Sequence, residues 1–486
     1  MNANHQAVIK EPLEQLLVHI PEDARPIIGQ AYHLAHASHE GQERDAGEPY
    51  IIHPIKVAII LASELGFARD AEMMVAALLH DSVEDSALAI EDIEPTFGKS
   101  ITDLIQGVTK AADGKNSRTA QRTATLQNLF TAARKDPRVL ILKLADRVHN
   151  MRTISGIPES KRRRRIAQET ADVYAPLSHF LGMGRIRREL ENRSLECLEP
   201  KVSDELYEVL SQDPCPKSQD FMEAVQTALQ DTGIRTRIRL QTKSLPSIYR
   251  KVLRSNLSAL EIHNRYFIEV MVSHRDTCYR ALGVLHGNFA PVTERFKDFI
   301  ALPKRNGYQA LHTNVIHQGS RYEVHIQTPG MHRMGELGLA TLRGNTPLEE
   351  KRMQWLHELA EWHDTSANSN RLMDELQRIL FTREIAVFTP RGDTYVLPEN
   401  ATVLDFAFAV HTDLGLHCKR GRVNGRRVSP FSTLSLGDTV EIEIDKAQHP
   451  KRHWLSRVKT YRARRLIRRY LTRQDPGKSS RGLMFG

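Results

Sequence analysis

Residues 76–86 read AALLHDSVEDS, so an apolar run ends directly in the polar pairs His80-Asp81 and Glu84-Asp85. If residues 71–85 form one helix, His80 and Glu84 are i,i+4 neighbours, and so are Asp81 and Asp85. All four side chains would then project from nearly one side of the end of a buried helix. Because three of them are acidic, the arrangement predicts a bound cation that relieves their mutual repulsion.

Two further segments offer partners for such a cation. The stretch PRVLILKLADRVHNMRTI (137–154) reads as a second helix, and Asp146 and Asn150 follow its apolar run at i,i+4 spacing. The stretch GEPYIIHP (47–54) contributes His53. Two imidazoles and two carboxylates form a mixed nitrogen and oxygen set that suits Mn²⁺, Fe²⁺, Co²⁺ or Zn²⁺. The predicted metal ligands are His53, His80, Asp81 and Asp146.

The remaining polar residues indicate chemistry on a phosphoryl group. A metal lowers the pKa of a bound water, and Glu84 and Asp85 could take its proton or orient it. Arg44 precedes His53 and could bind a phosphate through two hydrogen bonds. Each residue alone could equally be a solvated acid or a hydrogen-bonded core histidine, and it is their joint occurrence that favours a metal site.

Composition and charge narrow the class of protein. The chain has 486 residues, 40% of them hydrophobic and 26% charged, which predicts a globular protein of two to four domains. We expect a cytoplasmic protein, because neither a membrane-spanning apolar stretch nor a secretory signal is evident. The cysteines lack C-x-x-C spacing, which favours free thiols.

The formal net charge of +9 is concentrated in two stretches, KRRRR (161–165) and RVKTYRARRLIRRYLTR (457–473). Basic helices of this kind often meet phosphate groups, so nucleic acid or a polyphosphate ligand is a reasonable partner. The alternative is a solvated basic face with no partner.

Hydrophobic periodicity divides the chain into five segments. An all-α domain is predicted first, then an α+β domain, a charged linking helix, a small β-rich module and a basic helical tail. Their predicted ranges are 26–200, 201–345, 346–383, 384–445 and 446–486.

The motifs resemble those of a known family. The order of His53, His80-Asp81 and Asp146 is similar to that of the HD superfamily of metal-dependent phosphohydrolases. GEPYIIHP, ALLHDSVED and KLADRVHNMRT resemble the (p)ppGpp hydrolase domain of the long RelA/SpoT stringent-response proteins. RFKDFIALPKRNGYQALHT and YEVHIQT resemble the synthetase (pyrophosphotransferase) domain of that family, and FTPRGDTYVLPENATVLDFAFAVHTDLG resembles its TGS module, which has a β-grasp fold.

The resemblance implies a role for each hydrolase residue. The predicted ligands would bind one Mn²⁺, and Glu84 and Asp85 would activate water against the 3′-pyrophosphate of (p)ppGpp, giving GDP or GTP and pyrophosphate. Arg44 and Asn150 would contact the nucleotide, with Thr153 near the base. The chain departs from the family at Asp45, which is acidic where members often have a small or basic residue.

The synthetase-like segment departs further. Asn264 stands where the family has a Mg²⁺-binding Asp, and Glu269 stands where it has an Arg. A neutral amide is a weak Mg²⁺ ligand, and an anion in place of a cation reverses the field around ATP. Tyr308 and Glu323 remain at the guanine-stacking and base positions. The resemblance therefore implies a degenerate synthetase domain whose surviving residues are structural or form a regulatory guanine-nucleotide pocket.

Two alternatives to a hydrolase without synthetase activity stay open. One is a bifunctional (p)ppGpp synthetase/hydrolase. The other is a regulator that binds the ribosome or tRNA, with catalysis secondary, since the resemblance implies that the TGS module contacts tRNA, the ribosome or acyl carrier protein. A general HD nucleotidase ranks last because it leaves the two later domains unexplained.

Overall fold

The computed structural model describes residues 3–86, 88–109, 118–211, 216–255, 265–304, 306–341 and 384–474. These residues fall into two compact units, one within residues 1–377 and one within 378–486. The predicted linking helix and Asn264 lie outside the described residues.

The first part of the first unit is helical. Its α-helices are α1 (Ala3–His19), α2 (Arg25–Ser38), α3 (Ile52–Ile59), α4 (Ala71–Leu79), α5 (Ser82–Asp85), α6 (Ile90–Phe97), α7 (Lys99–Val108), α8 (Arg118–Lys135), α9 (Arg138–Arg152), α10 (Ser160–Glu169), α11 (Ala175–Phe180), α12 (Gly184–Leu198) and α13 (Pro200–Ser211). Short π-helical turns follow α3 at Ile60–Glu64 and α10 at Thr170–Tyr174, and short 3-10 turns lie at Glu22–Ala24 and Ile154–Gly156. The all-α prediction for this region is confirmed.

Helices α4 and α9 form the centre of this helical core. Every residue of α4 from Met73 to Leu79 is buried, and so is most of α9. The start of α4 is capped by Asp70, whose side chain accepts a hydrogen bond from the Met73 backbone N–H at 3.0 Å. Arg138, the first residue of α9, pairs with Asp70 at 3.0 Å and with Glu72 at 2.7 Å. Because α4 and α9 begin at the same ion-pair cluster, their C-terminal ends, which hold the polar residues, lie in the same region.

The prediction of one helix over residues 71–85 is wrong. Helix α4 ends at Leu79, and α5 begins at Ser82, with His80 and Asp81 between them. The backbone N–H groups of Glu84 and Asp85 both donate to the Asp81 carbonyl, at 3.1 and 3.0 Å, which starts a new turn. The polar residues therefore belong to two short helices and the turn between them, and Tyr50 Oη still contacts both Asp81 and Asp85.

The second part of the first unit is built on a mixed sheet. Its strands are β1 (Thr236–Thr242), β2 (Tyr266–Val272), β3 (Ala290–Pro291), β4 (Lys297–Asp298), β5 (Leu311–His317) and β6 (Ser320–Gln327). The order is β1-β2-β6-β5-β3, with β2 and β6 parallel and β4 paired to β5. The helices are α14 (Pro216–Asp231), α15 (Leu245–Ser255), α16 (Arg275–Asn288) and α17 (Pro329–Leu337), with 3-10 turns at Thr293–Arg295 and Gly338–Thr341.

Alternation along the strands gives this sheet two different faces. One face carries Ile268, Val270, Val324 and Ile326 into an apolar core that includes residues of α14 and α16. The opposite face carries polar residues, with Glu269 of β2 beside His325 of β6, and His325 beside His312 of β5. This is the α+β architecture that the sequence predicts.

Helix α12 connects the helical part of the unit to the sheet. Arg188 of α12 pairs with Glu336 of α17, and Asn192 accepts a hydrogen bond from the Leu245 backbone N–H at 2.9 Å. Gly182 and Gly338, both with positive φ, meet so closely that a Cβ on Gly338 would lie 2.2 Å from the Leu181 carbonyl oxygen. The two parts therefore share a packed junction.

The second unit is small and β-rich. It contains the hairpin β7 (Glu384–Phe388) and β8 (Thr394–Pro398), the sheet β9 (Cys418–Val423), β10 (Arg426–Val428) and β11 (Val440–Ile444), and the helices α18 (Val403–Val410), α19 (Thr412–Leu416), α20 (Trp454–Arg457) and α21 (Tyr461–Gln474). The three-stranded sheet has the order β10-β9-β11. The predicted hairpin, helix, later strands and basic helix are all present.

A buried carboxylate ties the basic helix α21 to this module. Asp405 of α18 is fully buried and accepts hydrogen bonds from the backbone N–H groups of Lys459 and Thr460 at 3.0 and 2.7 Å. Its carboxylate also accepts from Thr402. Ala463 and Ile467 of α21 pack into the same apolar cluster as Phe408. One face of α21 is therefore part of the core, and Arg465, Arg468, Arg469 and Arg473 are exposed on its other sides.

Candidate metal centre and nucleotide pocket

Three elements carry the predicted metal ligands. His53 lies in the first turn of α3, His80 and Asp81 lie between α4 and α5, and Asp146 lies on α9. Ligand atoms of His53, His80 and Asp146 all lie within 4.8 Å of one another. His53 Nε2 is 3.2 Å from Asp81 Oδ2 and 3.3 Å from Asp146 Oδ1, and His80 Nε2 is 3.3 Å from Asp81 Oδ1. The structure thus brings all four side chains together.

The second nitrogen of each imidazole is held by the protein. His80 Nδ1 lies 2.8 Å from the Ala77 carbonyl oxygen, which can only accept, so Nδ1 carries the proton. His80 Nε2 is buried and has no hydrogen-bond partner among the described residues. His53 Nδ1 lies 2.7 Å from His149 Nδ1. Both Nε2 atoms consequently point toward the carboxylates, which is the arrangement of metal-binding histidines.

Positive groups already surround the two carboxylates. Lys143 Nζ lies 3.1 Å from Asp146 Oδ2. Burial by itself raises the pKa of the Asp146 carboxyl, but the charges of Lys143 and His53 hold it well below its usual range. Burial by itself lowers the pKa of His53, and its contacts with Asp146 and Asp81 raise it overall. Both carboxylates are therefore ionised, which is the state that binds a metal ion.

This donor set fits a divalent metal ion. Ligand atoms of His53, His80 and Asp146 lie within 4.8 Å of one another, and Asp81 contacts both imidazoles. The outer atoms His80 Nδ1, His53 Nδ1 and Asp146 Oδ2 are held by Ala77, His149 and Lys143. An ion bound there would replace the proton on His53 Nε2.

The two predicted activating acids occupy different positions. Asp85 is exposed, and its Oδ2 lies 2.7 Å from Tyr50 Oη, which also lies 3.0 Å from Asp81 Oδ2. Burial and the charge of Asp81 raise the pKa of Tyr50, so the phenol keeps its proton and donates it. Glu84 is half-buried, and its charge acts on Lys143. Within the described residues, neither acid lines the cavity beside the metal centre.

The predicted nucleotide contacts meet on one side of α9. Arg44 Nη2 donates to Asn150 Oδ1 at 2.8 Å, and its Nη1 donates to Thr153 Oγ1 at 3.3 Å. Asn150 in turn donates to Asp146. Arg44, Asn150 and Thr153 are thus connected to the metal centre by a chain of hydrogen bonds.

These residues border a cavity of about 560 Å³. Its lining joins His53, Asp81 and Asp146 to a group of cationic side chains, namely Arg44, Lys143, Arg147, Arg162 and Arg165. The volume is in the range of pockets that hold nucleotide-sized ligands. An anionic, phosphate-bearing ligand suits this lining.

The sequence motifs pointed to most of this site but missed several members. Tyr50 and His149 lie inside the quoted motifs, yet no spacing rule distinguishes them from structural residues. Lys143 sits in an apolar run, where a lysine suggests a surface position, but it is buried. Arg162 and Arg165 belong to the basic run KRRRR, for which a phosphate-bearing partner and a solvated face both stayed open, and they line the cavity.

The polar face of the sheet gathers the other predicted residues. Glu269 is buried, and its Oε1 accepts hydrogen bonds from Gln327 Nε2 at 2.6 Å and from His332 Nδ1 at 2.8 Å. Glu323 contacts Lys243 and His325. Tyr308 Oη lies 2.8 Å from His312 Nε2. The acidic groups of this face are therefore neutralised by side chains of the same domain.

Comparison with known proteins matches three family models along the chain. Residues 31–184 match the HD domain, residues 240–342 match the region found in RelA / SpoT proteins, and residues 385–443 match the TGS domain. The chain is therefore a multidomain protein with an HD domain followed by a RelA/SpoT region and a TGS domain.

Similarity to curated proteins extends over nearly the whole chain. A guanosine-3′,5′-bis(diphosphate) 3′-pyrophosphohydrolase of Aquifex aeolicus is 38% identical over 483 residues, covering 96% of this chain and 67% of that protein. The bifunctional (p)ppGpp synthase/hydrolase SpoT of Escherichia coli is 38% identical, covering 95% and 67%. A GTP pyrophosphokinase of Streptomyces coelicolor is 39% identical, covering 92% and 56%. The chain belongs to the long RelA/SpoT family.

No helix among the described residues is both long and apolar enough to cross a membrane.

Proposed function

We propose that this chain is a Mn²⁺-dependent 3′-pyrophosphohydrolase of (p)ppGpp in stringent-response control. The observation that carries the proposal is the buried Nε2 atom of His80, which has no hydrogen-bond partner among the described residues and lies near His53, Asp81 and Asp146 beside a cationic cavity. A relative that is named for this activity and is 38% identical over 483 residues supports the choice of substrate.

The reaction adds water across the bond between the 3′ oxygen and phosphorus. A bound divalent ion supplies a water of lowered pKa at the centre. We propose that Asp85, which accepts a hydrogen bond from Tyr50, and Glu84 orient that water and take its proton from just outside the cavity lining. The 3′ oxygen leaves with a proton, and the products are pyrophosphate and GDP or GTP.

The cationic side chains that line the cavity, Arg44, Lys143, Arg147, Arg162 and Arg165, form a cationic wall that positions the substrate. Arg44 is fixed by Asn150 and Thr153, so its guanidinium is presented without a large loss of side-chain entropy. We propose that Arg44 and Asn150 contact the nucleotide and that Thr153 lies near the base.

Purified protein incubated with ppGpp and Mn²⁺ should release pyrophosphate and GDP. His80→Ala should reduce this release by a factor of about 10³ or more, because it removes a metal ligand. His33→Ala is the matched control, since His33 is exposed on α2. Equal release by wild type and His80→Ala would reject the proposal, and parallel reactions with Mg²⁺, Co²⁺ and Zn²⁺ test the choice of metal.

We further propose that the synthetase activity is lost. Glu269 is buried and bonded to Gln327 and His332, so an anion occupies the strand position where ATP phosphates require a cation. The protein should form no pppGpp from ATP and GTP with Mg²⁺. Formation of pppGpp would favour the bifunctional alternative, for which the Escherichia coli relative is the precedent.

The second unit supports a proposal of RNA contact. Helix α21 buries Ala463 and Ile467 and directs Arg462, Arg465, Arg468, Arg469 and Arg473 to other sides. Binding to tRNA or ribosomes through these arginines should weaken steeply with salt. Unchanged binding between 50 and 200 mM salt would contradict this contact.

A further inference from the structure

Asp45 is one of several anionic side chains that line the hydrolase cavity, with Glu43, Glu48 and Glu169. Asp45 Oδ1 lies 2.8 Å from Nη1 of Arg162, and both residues line the cavity. Asp45 and Arg162 are 36% and 44% exposed, so their ion pair is solvated and weak. A ligand phosphate can therefore compete for Arg162.

The backbone explains why neighbouring residues face different helices. The chain makes a tight turn from Arg44 to Glu48, in which the Arg44 N–H donates to the Glu48 carbonyl at 2.9 Å and Gly47 has φ +82°. The turn packs closely on Gly156, where a Cβ would lie 2.9 Å from the Ala46 Cβ. Arg44 reaches α9, while Asp45 reaches Arg162 on α10.

The other cations of the wall are already engaged. Lys143 pairs with Asp146, Arg147 pairs with Glu169 and stacks on Tyr174, and Arg44 is bonded to Asn150. Arg165 is exposed and makes no ion pair with a carboxylate of the described residues. Arg162 and Arg165 are one turn apart on α10 and are thus the cations most available to a second phosphate group.

We propose that Arg162 and Arg165 form an anion subsite for the 5′-phosphates of the nucleotide, and that Asp45 restricts this subsite by competing for Arg162. The inference rests on the proposed function, because a nucleotide whose 3′-pyrophosphate occupies the metal centre carries a second phosphorylated end. Asp45 repels that end and withholds one guanidinium from it. The repulsion between Asp45 and the nucleotide grows with the number of 5′-phosphates. The protein therefore discriminates against nucleotides that carry more 5′-phosphates.

The test compares kcat/KM for pGpp, ppGpp and pppGpp in wild type, Asp45→Asn, Arg162→Gln and the double variant. Asp45→Asn should raise the ratio of kcat/KM for pppGpp to that for pGpp by about two- to fivefold. Arg162→Gln should lower that ratio by up to about tenfold, since a guanidinium–phosphate bond is lost. In the double variant, the effect of Asp45→Asn should shrink, because part of it acts through Arg162.

Lys161→Gln is the matched control, because Lys161 is an exposed cation on the same helix outside the cavity lining. It should leave the ratio unchanged. An unchanged ratio in both Asp45→Asn and Arg162→Gln, or an equal fall in Lys161→Gln, would overturn the inference.

The failure of the proposed function has a different signature. Wild type would then release no pyrophosphate from any of the three nucleotides. Equilibrium binding of the same nucleotides to the same variants still tests the anion subsite. The ratio of the affinity for pppGpp to that for pGpp should rise in Asp45→Asn and fall in Arg162→Gln. Binding that is equal across the variants would overturn it.

Discussion

The imidazoles of His53 and His149 meet through their Nδ1 atoms at 2.7 Å, inside the helical core. Only one proton can lie between two ring nitrogens at this distance. Burial, with the nearby charges of His53 and Arg44, lowers the pKa of His149 to about 2, so His149 is neutral and accepts while His53 donates. His149 therefore holds His53 in the tautomer whose Nε2 atom can bind a metal.

Replacing His149 should weaken metal binding without removing the site. His149→Ala should raise the metal concentration for half-maximal hydrolysis by about 10- to 100-fold, because a residue that orients a ligand has been lost. Saturating metal should restore most of the activity. His53→Ala should stay inactive at any metal concentration, and recovery of His53→Ala would contradict the assignment.

Removing the metal should lower thermal stability. In the metal-free state Asp81 and Asp146 share one buried site, and a bound ion stabilises only the folded chain. Adding Mn²⁺ after chelation should raise Tm in wild type and in His33→Ala. His80→Ala should show no such rise, which calorimetry can measure; a full shift in that variant would place the ion elsewhere.

Lys143 should be essential to the metal-free fold. Lys143→Met leaves the Asp146 carboxylate buried without its ammonium partner, which should cost about 3–5 kcal/mol of unfolding free energy. Because a divalent ion also compensates that carboxylate, Mn²⁺ should recover part of the loss. Denaturant unfolding with and without Mn²⁺ measures both effects, and a loss that Mn²⁺ leaves unchanged would mean that the ion and Asp146 do not interact.

The His332–Glu269 pair should make stability depend on pH. The hydrogen bond to Glu269 raises the pKa of His332 above its ordinary value, so the stabilisation is complete below about pH 6.5 and is lost as the pH rises through the folded-state pKa. His332→Gln should therefore lower Tm more at pH 6 than at pH 9. His274→Gln, an exposed change on the same domain, should lower Tm equally at both values.

Asp405 should decide whether α21 stays docked. Asp405→Ala leaves the N–H groups of Lys459 and Thr460 without their acceptor, at a cost of about 3 kcal/mol or more. Hydrogen exchange should show lost protection in 461–474. Asp413→Ala, an exposed change in the same unit, should leave that protection intact.

Long apolar periods made the helices and strands predictable. The runs in α4 and α9 and the strands β2 and β6 are so strongly patterned that burial dictates their type. The break after Leu79 was missed because i,i+4 spacing reads the same whether a helix continues or restarts. There the backbone conformation depends on hydrogen bonds from Glu84 and Asp85 to the Asp81 carbonyl. The pattern of hydrophobic residues does not reveal such hydrogen bonds.

The metal ligands could be predicted from the sequence where they occur as unusual neighbouring pairs. His80-Asp81 stands out because acids rarely follow a buried helix. Supporting residues carry no such mark: Lys143 is one lysine among many, and the contact between Asp45 and Arg162 spans distant parts of the chain. Only tertiary structure brings them to the same cavity.

We propose that Lys143 also limits the centre to one metal ion. Its ammonium group occupies one oxygen of Asp146, the oxygen through which that carboxylate would have to bridge to a neighbouring cation. If divalent ions bind here, we expect one ion rather than the two that clamp a displacement in dinuclear hydrolases, because Lys143 already pairs with Asp146 Oδ2. Activation by metal should follow a simple hyperbola with a Hill coefficient of one, set by a single ion and a permanent positive charge that the polypeptide itself provides.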